Sequence, residues 1–139
     1  MINQVLTKKL RSRVLSALNK VIQERKNFVF VYETLLDKGL RRKLLKKMLL
    51  PHPDHIIGYR EISVESNEGT NYHTLVVDKT SSVLGLRFEI SDYELHILDQ
   101  WEDQYSRKKL LLHSGNMAWI YFLKVENMAN KGHNLYIAN

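Results

Sequence analysis

The stretch from Leu98 to Arg107, LDQWEDQYSR, constrains this chain more than any other, because a helix must hand over to a strand inside it. Ser91 and Glu94, three apart, form a capping-box pair that predicts a helix start. Leu95, Leu98 and then Trp101 or Glu102 follow at helical spacing and share one face. A helix that reaches Glu102 sets this carboxylate above Leu98 and Leu95, on the side that packs inward. A carboxylate aimed at an apolar interior is costly unless it is paired or protonated. Glu102 is therefore the candidate functional acid, although a Glu at a helix end is ordinarily a solvated surface residue. Tyr105 and Arg107, two apart at the start of an apolar strand, point to one face. An ion pair with Asp99 or Asp103 is the structural alternative for Arg107, since its forked guanidinium suits any carboxylate nearby.

A second stretch, FVFVYETLL from Phe28 to Leu36, adds to this. Tyr32, Thr34 and Leu35 match a strand that ends in Tyr-Gly-(Ser/Thr)-Leu. Leu98, Asp99, Glu102, Tyr105 and Arg107 match Leu-Asp-x-x-Glu-x-x-Tyr-x-Arg without a gap. Over residues 27 to 125 the chain thereby resembles the gamma-glutamylcyclotransferase-like family. The resemblance implies an α+β domain, a small mixed β-barrel with flanking helices and a pocket at one end. It also implies a gamma-glutamylcyclotransferase-type acyltransferase, which releases 5-oxoproline from a small gamma-glutamyl substrate. In that chemistry the substrate's own α-amine attacks its γ-carbonyl, and folding the substrate supplies a large effective concentration. Glu102 falls at the position of the general acid/base. The backbone amides of Glu33, Thr34 and Leu35 would hold polar groups of the substrate, Tyr32 would line the pocket, and Tyr105 and Arg107 would orient the substrate or Glu102. No cofactor and no metal is implied. Glu33 stands where the family has Gly. Gly allows φ > 0 and close approach of a ligand, and Glu gives neither easily. Two other classes stay open: a non-catalytic small-ligand binding module of the same fold, and an interaction protein working through the basic N-terminal helix.

At 139 residues one domain is expected, long enough to bury about 70% of its unfolded surface. The chain has no Cys, which removes disulfides, thiolate metal sites and a cysteine nucleophile. No apolar run reaches the length of a membrane span, and no signal-peptide pattern follows the N-terminus, so a cytoplasmic protein is expected. The net charge of +6 is uneven: residues 1–50 hold 13 Lys and Arg against 3 acids, and residues 51–139 hold 8 against 12. No aromatic residues are interleaved with the basic ones, so a solvated helix face is favoured over nucleic-acid binding.

The chain divides into an N-terminal helical extension (1–26), a gamma-glutamylcyclotransferase-like domain (27–126) and a polar C-terminal tail (127–139). Val5, Leu6, Leu10, Val14, Leu15, Leu18, Val21 and Ile22 predict an amphipathic helix over residues 2–25. Its Val14, Leu18 and Val21 stripe is expected to pack on protein, either on the domain or against a second chain, which leaves a homodimer open. Phe28–Tyr32 predicts a central strand. Gly39–Leu49 predicts a helix with Leu40, Leu44, Leu45 and Met48 inside, Arg41, Arg42, Lys43, Lys46 and Lys47 outside, and Pro51 and Pro53 ending it. His52 and His55 read as loop histidines without a metal-site partner. Strands are expected over Ile56–Val64, His73–Val77 and Val83–Ile90, with turns at SNEGTN (66–71) and DKTSS (78–82). Gly85 inside a strand signals a bulge or a close backbone approach. A hairpin is expected around HSGN, with strands Ser106–Leu112 and Ala118–Val125.

Overall fold

The computed structural model describes residues 2–24, 26–124 and 126; expectations for the tail 127–139 lie outside them. The elements run α1 (Ile2–Glu24), β1 (Lys26–Val31), a 3-10 turn (Thr34–Leu36), α2 (Lys38–Leu45), β2 (His52–Glu65), β3 (Asn71–Ser91), α3 (Asp92–Trp101), β4 (Tyr105–Leu111) and β5 (Met117–Leu123). The strands form one sheet in the order β2-β3-β1-β5-β4, with β1 and β5 parallel and the other neighbours antiparallel. The sheet curls into a half-barrel, so the α+β architecture implied by the sequence is present.

The apolar run of β1 is central and buried on both faces. Phe30 and Tyr32 face inward to Ile56, Leu75, Ile120 and Phe122. Val29 and Val31 face outward to Phe88, Ile90, Leu95, Leu98 and Leu45, the layer formed with α2 and α3. A period-2 strand needs apolar residues at every position when both of its faces are covered.

One departure from the sequence reading shapes the whole sheet. DKTSS does not reverse the chain: β3 is continuous from Asn71 to Ser91. Tyr59 pairs with Val77, yet Ile57 pairs with Ser82, so residues 78–81 stand opposite Gly58 alone. This is a large bulge. Gly58 takes φ +91°, open to glycine at little cost, and Asp78 accepts hydrogen bonds from the Thr80 amide and from the Thr80 and Ser81 hydroxyls. A bulge bends a strand and raises its twist. The second half of β3 therefore runs along β1, while the first half swings across to β4 and β5, where the Leu123 amide donates to the Thr74 hydroxyl (3.0 Å).

Gly85 proves to be a close approach. A Cβ there would fall against the Val31 carbonyl oxygen and within 2.7 Å of Phe30 Cζ. The missing side chain lets β3 lie tight on β1 at the point where β1 leaves the sheet.

The helices need three corrections. Helix α2 ends at Lys46, a left-handed cap at φ 61° whose amide bonds the Arg42 carbonyl, before either proline; Pro53 lies inside β2 with His52 and His55. Arg41 is buried and Met48 is 54% exposed, the reverse of their expected places. In α1, Leu10, Val14, Leu15 and Leu18 are 61%, 56%, 54% and 52% exposed, so the domain does not cover this part of the stripe; the Val21 side chain lies outside the described residues. Among the described residues no helix is long and apolar enough to cross a membrane. Helix α3 starts on the expected box: the Ser91 hydroxyl accepts from the Glu94 amide and the Glu94 carboxylate from the Ser91 amide.

Gly85→Ala should lower unfolding free energy by about 1–3 kcal/mol through overpacking against backbone, whereas Leu18→Ser should change it by less than about 0.5 kcal/mol. Urea unfolding of both variants measures this, and the reverse order would contradict the packing described.

Candidate active site

At one end of the half-barrel lies a cleft of about 330 Å³, open to solvent and lined by Phe30–Leu35, His73, Glu102, Tyr105 and Tyr121. Both sequence motifs meet there. The first arrives with β1, which ends at Val31 and releases Tyr32–Leu35 into the 3-10 turn. The second arrives with α3, which stops one residue before Glu102. Glu102 caps the helix, its amide bonded to the Leu98 carbonyl (2.8 Å), so its side chain keeps the inward direction set by Leu95 and Leu98. Its own carbonyl accepts the Tyr105 amide (2.9 Å), and the chain turns directly into β4.

The loop after β1 is held from beneath. The Arg41 guanidinium donates to the carbonyls of Leu35 and Leu36, both at 2.8 Å, and stacks 4.3 Å over the Phe88 ring. Burial pushes its pKa down, against the pull of Asp37. Two carbonyls at the end of a short turn would otherwise face a buried region unsatisfied. At the front of the turn the Glu33 side chain makes no cap hydrogen bond.

Glu33 has φ −142° and ψ −117°, which is neither the helical nor the usual extended region, and its φ is not positive. Its side chain lies at the cleft mouth with Oε1 3.5 Å from His73 Nε2. Tyr32 is buried, and its hydroxyl donates to the Tyr121 carbonyl (2.7 Å). Burial first, then Tyr105 and Glu102, hold its pKa well above the usual value. Tyr105 accepts from the His73 amide (3.3 Å), and burial with the nearby Glu102 pushes its phenol up to about 12. Thr34 and Leu35 also line the cleft.

Arg107 takes the structural role. It bonds Asp99 (2.8 Å), stacks 4.1 Å over Trp119, and does not line the cleft. Asp99 also accepts from the Tyr121 hydroxyl (2.7 Å), so the Asp and Arg of the second motif brace the wall rather than face the interior. His73 and Tyr121 were not singled out from the sequence. Each is one position in an otherwise ordinary strand, and only the curl of the sheet brings them to the cleft.

Among the described residues no Lys or Arg lines the cleft. Burial, with a smaller push from Asp103, raises its pKa from 4.5 to about 7. The carboxyl is poised between its two protonation states near neutral pH, which suits a group that must both take and give a proton.

The family model described as gamma-glutamyl cyclotransferase, AIG2-like, matches residues 29–137, and the chain belongs to this family. Among curated protein sequences none matches it significantly. Solved structures share the fold at low identity. An Arabidopsis thaliana protein is 22% identical with a TM-score of 0.59, the match covering 71% of this chain and 62% of that protein's length. A human protein is 15% identical with a TM-score of 0.60, covering 73% of this chain and 68% of its own. A structure named gamma-glutamyl cyclotransferase is 13% identical with a TM-score of 0.60, covering 72% and 68%.

The raised pKa of Glu102 fixes the sign of a pH effect. Below about 4.5 the group is protonated in both folded and unfolded chains. As pH rises to about 7 only the unfolded chain ionises readily, and the fold loses stability relative to a neutral side chain. Glu102→Gln should therefore match wild type at about pH 4 and exceed it by about 1–3 kcal/mol at about pH 8. Denaturant unfolding at the two pH values tests this, and equal differences at both would contradict a buried, uncompensated acid.

Proposed function

We propose that this protein is a gamma-glutamylcyclotransferase-type acyltransferase that releases 5-oxoproline from a gamma-glutamyl compound. The observation that carries the reading is Glu102, with its pKa raised to about 7, in one cleft with the Tyr32–Leu35 turn. The substrate's α-ammonium must lose a proton before its nitrogen has a lone pair to attack with. Glu102 takes that proton. The amine then attacks the γ-carbonyl, a C–N bond closes the five-membered ring, and the turn amides stabilise the negative charge on the carbonyl oxygen. The ring nitrogen gives its surplus proton to solvent, and the original amide C–N bond breaks as Glu102 returns the first proton to the departing amine. Tyr105 beside Glu102 orients the reacting groups, and Arg107 acts through Asp99 and the wall. No organic cofactor takes part. The same reading places the protein in the cytoplasm, with which a Cys-free chain is compatible.

Glu33 supports a second reading, a non-catalytic small-ligand module on the same fold. A carboxylate at the mouth would oppose a substrate carboxylate by about 4 kcal/mol at 4 Å for an effective dielectric of 20. Measuring 5-oxoproline release by wild type, Glu102→Gln and Glu33→Gly on one panel of gamma-glutamyl amines, peptides and amino acids separates the two. The expected outcome is active wild type, a loss of about 10²–10⁴ in Glu102→Gln, and equal or higher activity in Glu33→Gly. Equal activity in wild type and Glu102→Gln would remove Glu102 from the mechanism. Activity in Glu33→Gly alone would mean that the chain keeps the fold without the reaction.

A further inference from the structure

We propose that Glu33, Glu61 and His73 form a binding site for a divalent metal ion of the zinc or manganese type at the mouth of the cleft. The three come from separate elements. Glu33 follows β1, Glu61 lies on β2 and His73 on β3. Glu61 pairs with Leu75 across the antiparallel hairpin, and His73 lies two residues from Leu75 on the same face, so Glu61 and His73 are diagonal neighbours. The curl of the sheet brings this pair up to the turn that carries Glu33.

Each residue offers one ligand atom, and the three atoms lie within 4.8 Å of one another. The imidazole lies between the two carboxylates, with Nε2 3.5 Å from Glu33 Oε1 and Nδ1 3.3 Å from Glu61 Oε1, so an ion would take one of these nitrogens together with an oxygen of each Glu. Among the described residues no other three His or acidic side chains converge in this way.

The charges also call for a cation. Two carboxylates meet here across the imidazole, and among the described residues the cleft lining, which includes Glu33 and His73, holds no Lys or Arg. Such a pair is relieved by a proton or by a cation between the oxygens. The imidazole decides between kinds of ion. Calcium and magnesium take oxygen ligands, whereas one nitrogen with two carboxylates suits zinc and manganese. The side chains of Glu33, Glu61 and His73 are 40%, 32% and 35% exposed, so an ion can enter and retain water. An ion there would also offset the negative charge that Glu33 brings to the cleft mouth. The site stands whether or not the protein is a cyclotransferase.

Isothermal titration of the full chain with Zn²⁺, and separately with Mn²⁺, at neutral pH tests the proposal without an activity assay. One ion per chain is expected for at least one of the two metals. Glu61→Gln and His73→Gln should each weaken binding by more than about tenfold. His113→Gln should leave it unchanged, since His113 stacks on His55 at 4.1 Å elsewhere on the surface. Circular dichroism confirms folding, and Glu33→Gln, at a half-exposed loop side chain, replaces any variant that fails to fold. Absence of binding by both ions overturns the proposal. So does binding that survives at full strength in Glu61→Gln or His73→Gln.

Discussion

The bulge opposite Gly58 is the constraint on which the rest of this structure depends. Four residues of β3, 78–81, have no partner on β2, and the strand bends there. Without the bend the first half of this 21-residue strand would have β2 alone beside it. With it, one strand serves two neighbours. Two contacts hold the result. Gly85 lets β3 press on the backbone of Val31, and the fully buried Thr74 accepts the Leu123 amide. A buried amide left without an acceptor would cost about 1–3 kcal/mol, so the curl is sealed where β5 ends. Every wall of the cleft follows from this, because β3 delivers His73, β4 delivers Tyr105 and β1 delivers the turn.

Two acids, buried Asp54 and half-buried Glu102, show how the surroundings, rather than burial alone, set charge. Burial pushes Asp54 up, but hydrogen bonds from Ser114, the His55 amide and Arg87 outweigh it and hold its carboxyl below the ordinary range. Glu102 meets burial with no such donors, and Asp103 adds to the same direction. Asp54 is thus a charged structural anchor that ties β2 to Ser114 in the β4–β5 loop. Glu102 is an acid held ready to change state. Arg107 might have quenched it, but Asp99 and Trp119 occupy that guanidinium.

The site was largely legible in the sequence wherever local spacing determines direction. The capping box fixes where α3 begins, and its helical period then aims Glu102 inward. The two apolar faces of β1 announce a central strand, and the glycine in β3 announces a close approach. Other features depend on partners distant in the chain. DKTSS carries the polar residues of a turn, but Asp78 satisfies Thr80 and Ser81 within a bulge while the strand continues. Arg41 falls on the basic face of α2 by periodicity, yet the carbonyls of Leu35 and Leu36 draw its guanidinium inside, where it lies over the Phe88 ring. The convergence of Glu33, Glu61 and His73 is invisible to spacing, since it exists only after β1, β2 and β3 have been curled together.

The central claim is that Glu102 is a largely desolvated carboxyl with no Lys or Arg among the described residues of its cleft, and its own titration tests this most directly. Carbon-13 NMR of the glutamate carboxyls, with Glu102 assigned by the signal lost in Glu102→Gln, reads the protonation of that one group. The account predicts a midpoint at about 7. A midpoint at the ordinary value of 4.5 would contradict it and make Glu102 a solvated residue at the end of a helix.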